Sequence, residues 1–270
     1  MMFFTQSPPT GASHHAWVEA WTAEIVSQGG TVPSEYQLLL LDTLANTIDT
    51  AGINFDGFYV FAQDGSQKAG EVNFVGPGGT FDLTSVDSPE WASNEGYKPR
   101  ENELSGGHYD ANNTLSTMTH WTTNDHCFGY MLDTLYSGSG NRYIFCSFYS
   151  SGGYAATYAG AVVYSMRDGS ATAGTSFSNA GNTIMLVNRT SSSSVTLYQD
   201  NAVNSTSSAA GADLNYSQAI GAMRNTDSWA SYYSANAAGC YMRFAWFGES
   251  LTSSQRSTLQ TALNAYVDGL

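Results

Sequence analysis

Two early stretches place apolar residues at helical spacing. After Ser13, which is suited to capping a helix, Trp17, Trp21 and Ile25 recur four apart, and the run stops at Gly29-Gly30. That is the pattern of one amphipathic helix. A second opens at Pro33-Ser34, carries Tyr36, Leu40, Leu41, Leu44 and Ile48 on one face, and ends at Gly52. Proline suits a first helical turn because its missing N–H is not needed there. The short connection predicts a helical hairpin over residues 13–55, preceded by a proline-containing arm, 1–12.

From about Asp56 the period changes from four to two. Short runs rich in Phe, Tyr, Val and Ile alternate with Gly, Asn, Asp and Ser clusters, which predicts an antiparallel sandwich or barrel over 56–250. The clearest strands are Phe58–Ala62, Glu71–Val75, Phe128–Leu135, Arg142–Tyr149, Gly160–Arg167, Thr183–Asn188, Ser194–Gln199, Ile220–Arg224 and Tyr241–Gly248. Arg189-Thr190-Ser191-Ser192-Ser193 turns Ile184–Val187 back against Val195–Tyr198 as a hairpin, and Gln199-Asp200-Asn201 leads into a further strand through Val203. Over 251–270 the period returns to helical. Thr252 with Gln255 three residues on makes a capping box, and Leu259, Leu263, Tyr266 and Val267 form the apolar face.

Composition narrows the function classes. The 270 residues carry a net charge of −14, yet only 12% are charged and 13% are aromatic. Lysine occurs only at Lys68 and Lys98, and the arginines are scattered. A helical bundle, disorder, nucleic-acid binding and attraction to anionic membranes are all disfavoured. No apolar run approaches the ~20 residues that span a bilayer, and the N-terminus lacks the basic and apolar regions of a secretory signal. Cys127, Cys146 and Cys240 form an odd set inside apolar runs. They read as buried free thiols of a chain made in a reducing cytoplasm.

The segment Val195-Thr196-Leu197-Tyr198-Gln199-Asp200-Asn201 resembles the strand, tyrosine, polar turn and strand of concanavalin A-like lectin/glucanase domains of the laminin-G type. The run Tyr241–Thr252 is similar to that family's closing strand and the Leu-Ser/Thr that follows it. The layout as a whole resembles proteins of tailed bacteriophage structural gene sets, in which a helical hairpin precedes such a jelly roll. It rests on the hairpin, Phe55-Asp56-Gly57-Phe58-Tyr59-Val60, Trp91–Tyr97 and the terminal helix. The resemblance implies a concanavalin A-like jelly roll in a virion protein, a tail, fibre or capsid-decoration component made in the host cytoplasm. Its implied partners are other virion proteins, surface glycans and further copies of itself, with no nucleic acid and no membrane insertion. The aromatic stripe Trp17, Trp21 and Tyr36 reads as packing, and on the virion reading these residues are the candidate anchors to the particle if they are not internal core.

Glucanases of this fold resemble one another in a Glu-x-Asp-x-x-Glu strand, which is absent here. Glu101-Asn102-Glu103 sits in a polar loop, and Asp125-His126 could cooperate only in a turn, since strand neighbours face opposite sides. There is no G-x-S-x-G, H-E-x-x-H or phosphate-binding glycine loop. His14-His15 reads as an exposed pair. No cofactor is expected, although Asp110 and Asn112 offer oxygen atoms suited to calcium.

Sugar recognition needs aromatic faces beside hydrogen-bonding side chains. Three segments mix them: Asn225, Asp227, Trp229, Tyr232 and Tyr233 in one loop, Tyr154 and Tyr158 in another, and Tyr109 with Trp121 beyond it. The expected function is weak, multivalent, non-enzymatic glycan binding. The alternatives are a glycan-cleaving enzyme of the same fold and a purely structural cementing protein.

Overall fold

The computed structural model describes residues 13–79, 81–86, 88–98, 108–110, 118–134, 142–148, 154–159, 164–168, 171–175, 181–208, 219–220 and 241–270. The chain runs through α1 (Ala16–Ser27), α2 (Glu35–Thr50), β1 (Phe55–Val60), α3 (Gln67–Glu71), β2 (Thr84–Val86), β3 (Glu90–Ala92), β4 (Gly96–Lys98) and β5 (His108–Asp110). Then come β6 (His126–Leu132), β7 (Arg142–Phe148), β8 (Tyr154–Ala159), β9 (Tyr164–Asp168) and β10 (Ala171–Thr175). The last elements are β11 (Thr183–Ser191), β12 (Ser194–Gln199), β13 (Ala202–Ser207), β14 (Ala219–Ile220), β15 (Met242–Gly248) and α4 (Ser253–Asp268).

The architecture is a mainly β, antiparallel sandwich with helices at both ends of the sequence, as expected. One sheet has the order β13-β12-β11-β6-β15-β4-β3, with β1 also paired to β15, and the other has the order β10-β9-β8-β7-β14-β5-β2. The central strands of the first sheet are buried on both faces. Tyr59, Phe128, Tyr130, Met185, Val187, Leu197 and Phe247 point into the core that also holds Tyr109 and Ile220 of the second sheet. Their strand neighbours Phe58, Met131, Ile184, Leu186, Phe244 and Trp246 point the other way, under α1, α2 and α4. Period two therefore marks two buried sides rather than one buried and one wet. Gly129 is the position over which Trp246 lies: a Cβ there would stand 2.5 Å from the indole.

Polar ties fix the helical layer. Trp21 Nε1 donates to Val72 O at 3.1 Å, and Tyr266 Oη donates to Ala62 O at 2.8 Å. The expected capping box is present at Thr252 and Gln255, and Gln255 Nε2 also donates to Gly52 O at 2.9 Å. Ser34 caps α2, which puts Pro33 ahead of the cap rather than in the first turn, and α1 is capped by His15 rather than Ser13. The two histidines are not an idle exposed pair. His14 Nε2 lies 3.4 Å from Glu35 and His15 Nε2 lies 3.5 Å from Asp49, so they clamp the start of α1 to the acidic flank of α2.

Among the expected strands one differs, and others are described only in part. Glu71–Val75 is the end of α3 and an irregular segment, because the Asn73 side chain occupies the Phe58 N–H that a ladder would use. Of the run expected over Gly160–Arg167 the described backbone is Tyr164–Arg167, in β9, which pairs with β8, and β8 takes in Tyr154–Tyr158 that were read as a loop. Of Ile220–Arg224 the described backbone includes only Ile220, in β14. The β11–β12 hairpin and β13 stand as expected, with Leu186 opposite Tyr198. Cys127 is a buried free thiol, and burial pushes it well above its ordinary pKa, with the charge of Asp125 adding to this.

Candidate functional site

Asp56 occupies a bulge in β1: the pairing with β15 shifts register between Phe55 and Gly57. A bulge re-aims a side chain out of the ladder, and here it aims the carboxylate at the segment ahead of β6. Oδ1 accepts the N–H groups of Thr119 at 2.7 Å and His120 at 3.0 Å, and Oδ2 accepts that of Trp121 at 2.7 Å. Gly57 is required next, since a Cβ there would lie 2.5 Å from the Phe247 ring.

Asn73 locks the other wall. Its Oδ1 accepts Phe58 N–H at 2.9 Å, its Nδ2 donates to Asp56 O at 3.0 Å, and its backbone N–H donates to Asp82 at 2.8 Å. Between the two walls is a pocket of about 260 Å³ at the sandwich rim, lined by Phe55, Asp56, Asn73, Gly79, Phe81 and His120, among others. Phe81 is half-buried and meets Phe247 edge-on, with centroids 5.9 Å apart. Among the described residues, neither the Thr119 hydroxyl nor the His120 imidazole has a hydrogen-bond partner. The pocket thus combines a rigid backbone, one aromatic wall and two unengaged polar side chains.

This arrangement can bind but is poorly equipped for acid–base work. Asp56 is only 5% exposed and already accepts three N–H groups. Among the described lining residues it is the one carboxylate, whereas glycoside hydrolysis calls for two. Asp125 and His126 do share a turn region, but they face apart. Asp125 accepts Ser250 N–H at 3.1 Å, while the His126 ring is buried with Nδ1 2.7 Å from Thr122 O. Glu71 is buried too, and it binds the Lys68 ammonium and the Ser85 hydroxyl.

The proposed sugar-binding residues divide sharply. Tyr109 and Trp121 are corrected: they are 0% and 2% exposed, so neither offers a face to a ligand. Tyr109 is sealed between the sheets, stacked on Phe61 at 5.5 Å and edge-on to Tyr97 at 4.9 Å. Burial foremost, then the charge of Glu71, pushes its phenol well above the ordinary value. Tyr154 and Tyr158 lie in β8, paired with Phe148 and Tyr143. Asn225, Asp227, Trp229, Tyr232 and Tyr233 lie outside the described residues, as do Glu101, Glu103 and Asn112, while Asp110 lies in β5. No group of three or more His, Cys, Asp or Glu side chains suited to a metal occurs among the described residues.

Of the anchor candidates, Trp17 and Trp21 pack within the chain, the alternative already open from their spacing. Trp21 is fully buried and edge-on to Phe74 at 5.5 Å, and Trp17 is half-buried against the same ring at 6.5 Å. Both hold α1 to the segment that follows α3. Tyr36 is 60% exposed, with its hydroxyl donating to Gly269 O at 3.0 Å. The pocket at Asp56 was not singled out from the sequence. Its one local signal is Asp-Gly at the opening of a strand.

No family model and no curated protein matches the chain. Its fold does match solved structures. One, described as "Cell entry of botulinum neurotoxin type C is dependent upon interaction with two ganglioside molecules", has a TM-score of 0.55 at 10% identity, over 82% of this chain and 53% of that one. The binding domain of botulinum neurotoxin DC in complex with rat synaptotagmin II gives 0.54 at 9% identity, over 77% and 52%. The binding domain of serotype D gives 0.52 at 9% identity, over 78% and 52%. This chain spans about half the length of each, and the likeness establishes a shared β-sandwich fold.

Proposed function

We propose that this chain is a non-catalytic, lectin-like β-sandwich that binds glycan at the rim pocket beside Asp56. The pocket carries the reading. Its walls are held by hydrogen bonds already made, so ligand binding needs little ordering of the loop. Its volume of about 260 Å³ suits a single sugar ring, with Phe81 for a C–H face and His120 and Thr119 for hydroxyls. The ganglioside interaction named for the type C neurotoxin structure, a fold relative, supports the ligand class.

The setting is proposed from the sequence resemblance: a bacteriophage virion, in which many copies convert a weak site into firm attachment. Isolated chain on a glycan array, followed by titration of the best sugar against His120→Ala and Phe81→Ala, tests the site. Binding weakened about tenfold or more in both variants is expected. Binding that ignores both but disappears in Trp229→Ala would move the site to residues 225–233. Absence of binding on a multivalent array, or release of cleaved sugar, would overturn the function itself. Mass spectrometry of purified particles tests the virion assignment, and absence of the chain from them would sink it.

A further inference from the structure

Among the described residues that line the rim pocket there is a carboxylate, Asp56, and no lysine or arginine. Two more carboxylates stand behind the opposite wall. Gln28 Nε2 bridges them, donating to Glu24 at 2.8 Å and to Asp82 at 2.7 Å, and Asp82 in turn accepts the Asn73 N–H at 2.8 Å. Glu24 backs the segment Gly76-Pro77-Gly78-Gly79 so closely that a Cβ at Gly78 would stand 3.2 Å from its Oε2. Both lysines are engaged with other acids, Lys68 with Glu71 and Lys98 with Glu90. The stretches that adjoin the lining residues in sequence, residue 80 and residues 111–117, contain no charged residue.

Thr119, His120 and Trp121 turn three successive backbone N–H groups onto one spot. Such a concavity ordinarily takes an anion, and here the chain supplies it. Asp56 fills the concavity from within, so the donors best placed to grip the acid group of a ligand are already spent. An acidic sugar entering between Val75 and Phe81 would lose water from its carboxylate without gaining a cation in return. It would do so in the field of three held carboxylates. A neutral ring has no net charge for that field to act on, and the aromatic wall remains open to it.

We infer that the rim pocket selects glycans without acid groups, such as hexoses and N-acetylhexosamines, and turns away uronic acids, sialic acids and sulfated sugars. The inference rests on the lectin reading above and adds the class of ligand to it. Glu24 and Asp82 are specificity residues that act through their charge, since neither is among the described residues that line the pocket. Asp56 acts twice, by its own charge and by occupying the three N–H groups.

Saturation-transfer NMR on the full chain tests this with methyl glycosides that differ only at carbon 6. Glucose is paired with glucuronic acid, galactose with galacturonic acid, and N-acetylglucosamine with its 6-sulfate. Measurement at about pH 8 stays above the range in which an imidazole ordinarily charges, which takes His120 out of the comparison. Each acid is expected to bind about tenfold or more weakly than its neutral partner at low salt. The gap should narrow as the Debye length falls from about 30 Å at 0.01 M to about 3 Å at 1 M. The uronamides, which match the uronic acids in shape without the charge, should bind like the neutral sugars. Glu24→Lys should strengthen the acids about threefold and leave the neutral sugars unchanged, and Glu24→Gln, which keeps the acceptor for Gln28, should have a smaller effect in the same direction.

Acids bound as tightly as their neutral partners, with both lost in Phe81→Ala, would overturn the inference and leave the lectin reading standing. Uronamides rejected along with the acids would also overturn it, because shape rather than charge would then select. Selectivity that neither salt nor Glu24→Lys alters would overturn the role given to Glu24. Binding of none of these sugars would sink the lectin reading, and the inference with it.

Discussion

Trp121 lies flat on His126, with ring centroids 3.9 Å apart and planes within 6°. The stack seals the sandwich core directly beneath the rim pocket, while Asp56 grips the same tryptophan by its backbone N–H. One residue therefore joins the core to the loop proposed to bind sugar, and its burial is what fixes the position of His120 beside it.

Asp56→Ala should cost on the order of 3 kcal/mol, because three N–H groups lose a charged acceptor at once. Asp56→Asn should be nearly as damaging, since half of an amide is a donor facing donors. Urea unfolding measures both, and a loss below about 0.5 kcal/mol in each would show that the carboxylate does not organise the loop.

Gly57→Ala and Gly129→Ala each place a Cβ 2.5 Å from an aromatic ring, of Phe247 and Trp246 respectively. Both rings are fully buried and cannot swing away. A cost of about 1–3 kcal/mol is expected for each. Unchanged melting temperatures would mean that the sheet relaxes more freely than its packing implies.

Trp21→Ala separates packing from anchoring. If Trp21 is core, the isolated chain loses about 3–5 kcal/mol in solution, with no particle present. Tyr36→Ala, which removes an exposed ring with one hydrogen bond, should cost less than about 1 kcal/mol. The reverse ranking in chemical denaturation would restore Trp21 as a surface anchor.

Burial, more than any neighbour, raises the carboxyls of Asp82, Asp133 and Asp200 above their ordinary 3.8. The folded chain then holds these protons more tightly than the unfolded chain, so stability falls as pH rises from 3.8 through the folded values. Acidifying from about pH 7 toward about pH 4.5 should raise the melting temperature, and relief of the −14 net charge acts in the same direction. Asp200→Asn keeps the acceptor for Ile184 N–H and suits the left-handed φ of 47°, so it should flatten part of this slope. A melting temperature that drops steadily over the same range would contradict the assignment.

Local chemistry made much of the fold legible. Period-four spacing found α1, α2 and α4, a serine-rich turn found β11 and β12, and Thr252 with Gln255 announced the last helix. What stayed hidden depends on distant partners. Tyr109 and Trp121 have the composition of a sugar platform, but the opposing sheet and His126 cover them. Tyr154–Tyr158 reads as a loop because Tyr, Ala and Thr there lack strict alternation, and pairing with β7 and β9 makes it a strand. Asp56 looks like an ordinary turn residue until a segment more than sixty residues away lays its backbone over the carboxylate.

The last strand of the sequence is an inner strand of the sheet. β15 is bonded to β6, to β1 and, at Met242, to β4, so three earlier strands wait for residues 242–248 before they find their neighbour. During synthesis α1, α2 and the β11–β12 hairpin can form on their own, but the sheet can close only once residues 242–248 have been made. Pairings that reach back almost two hundred residues predict slow folding, on the millisecond-to-second scale. A chain cut short at 241 would not merely lose an edge. It would open three adhesive strand borders at once and be expected to aggregate rather than persist as a trimmed domain.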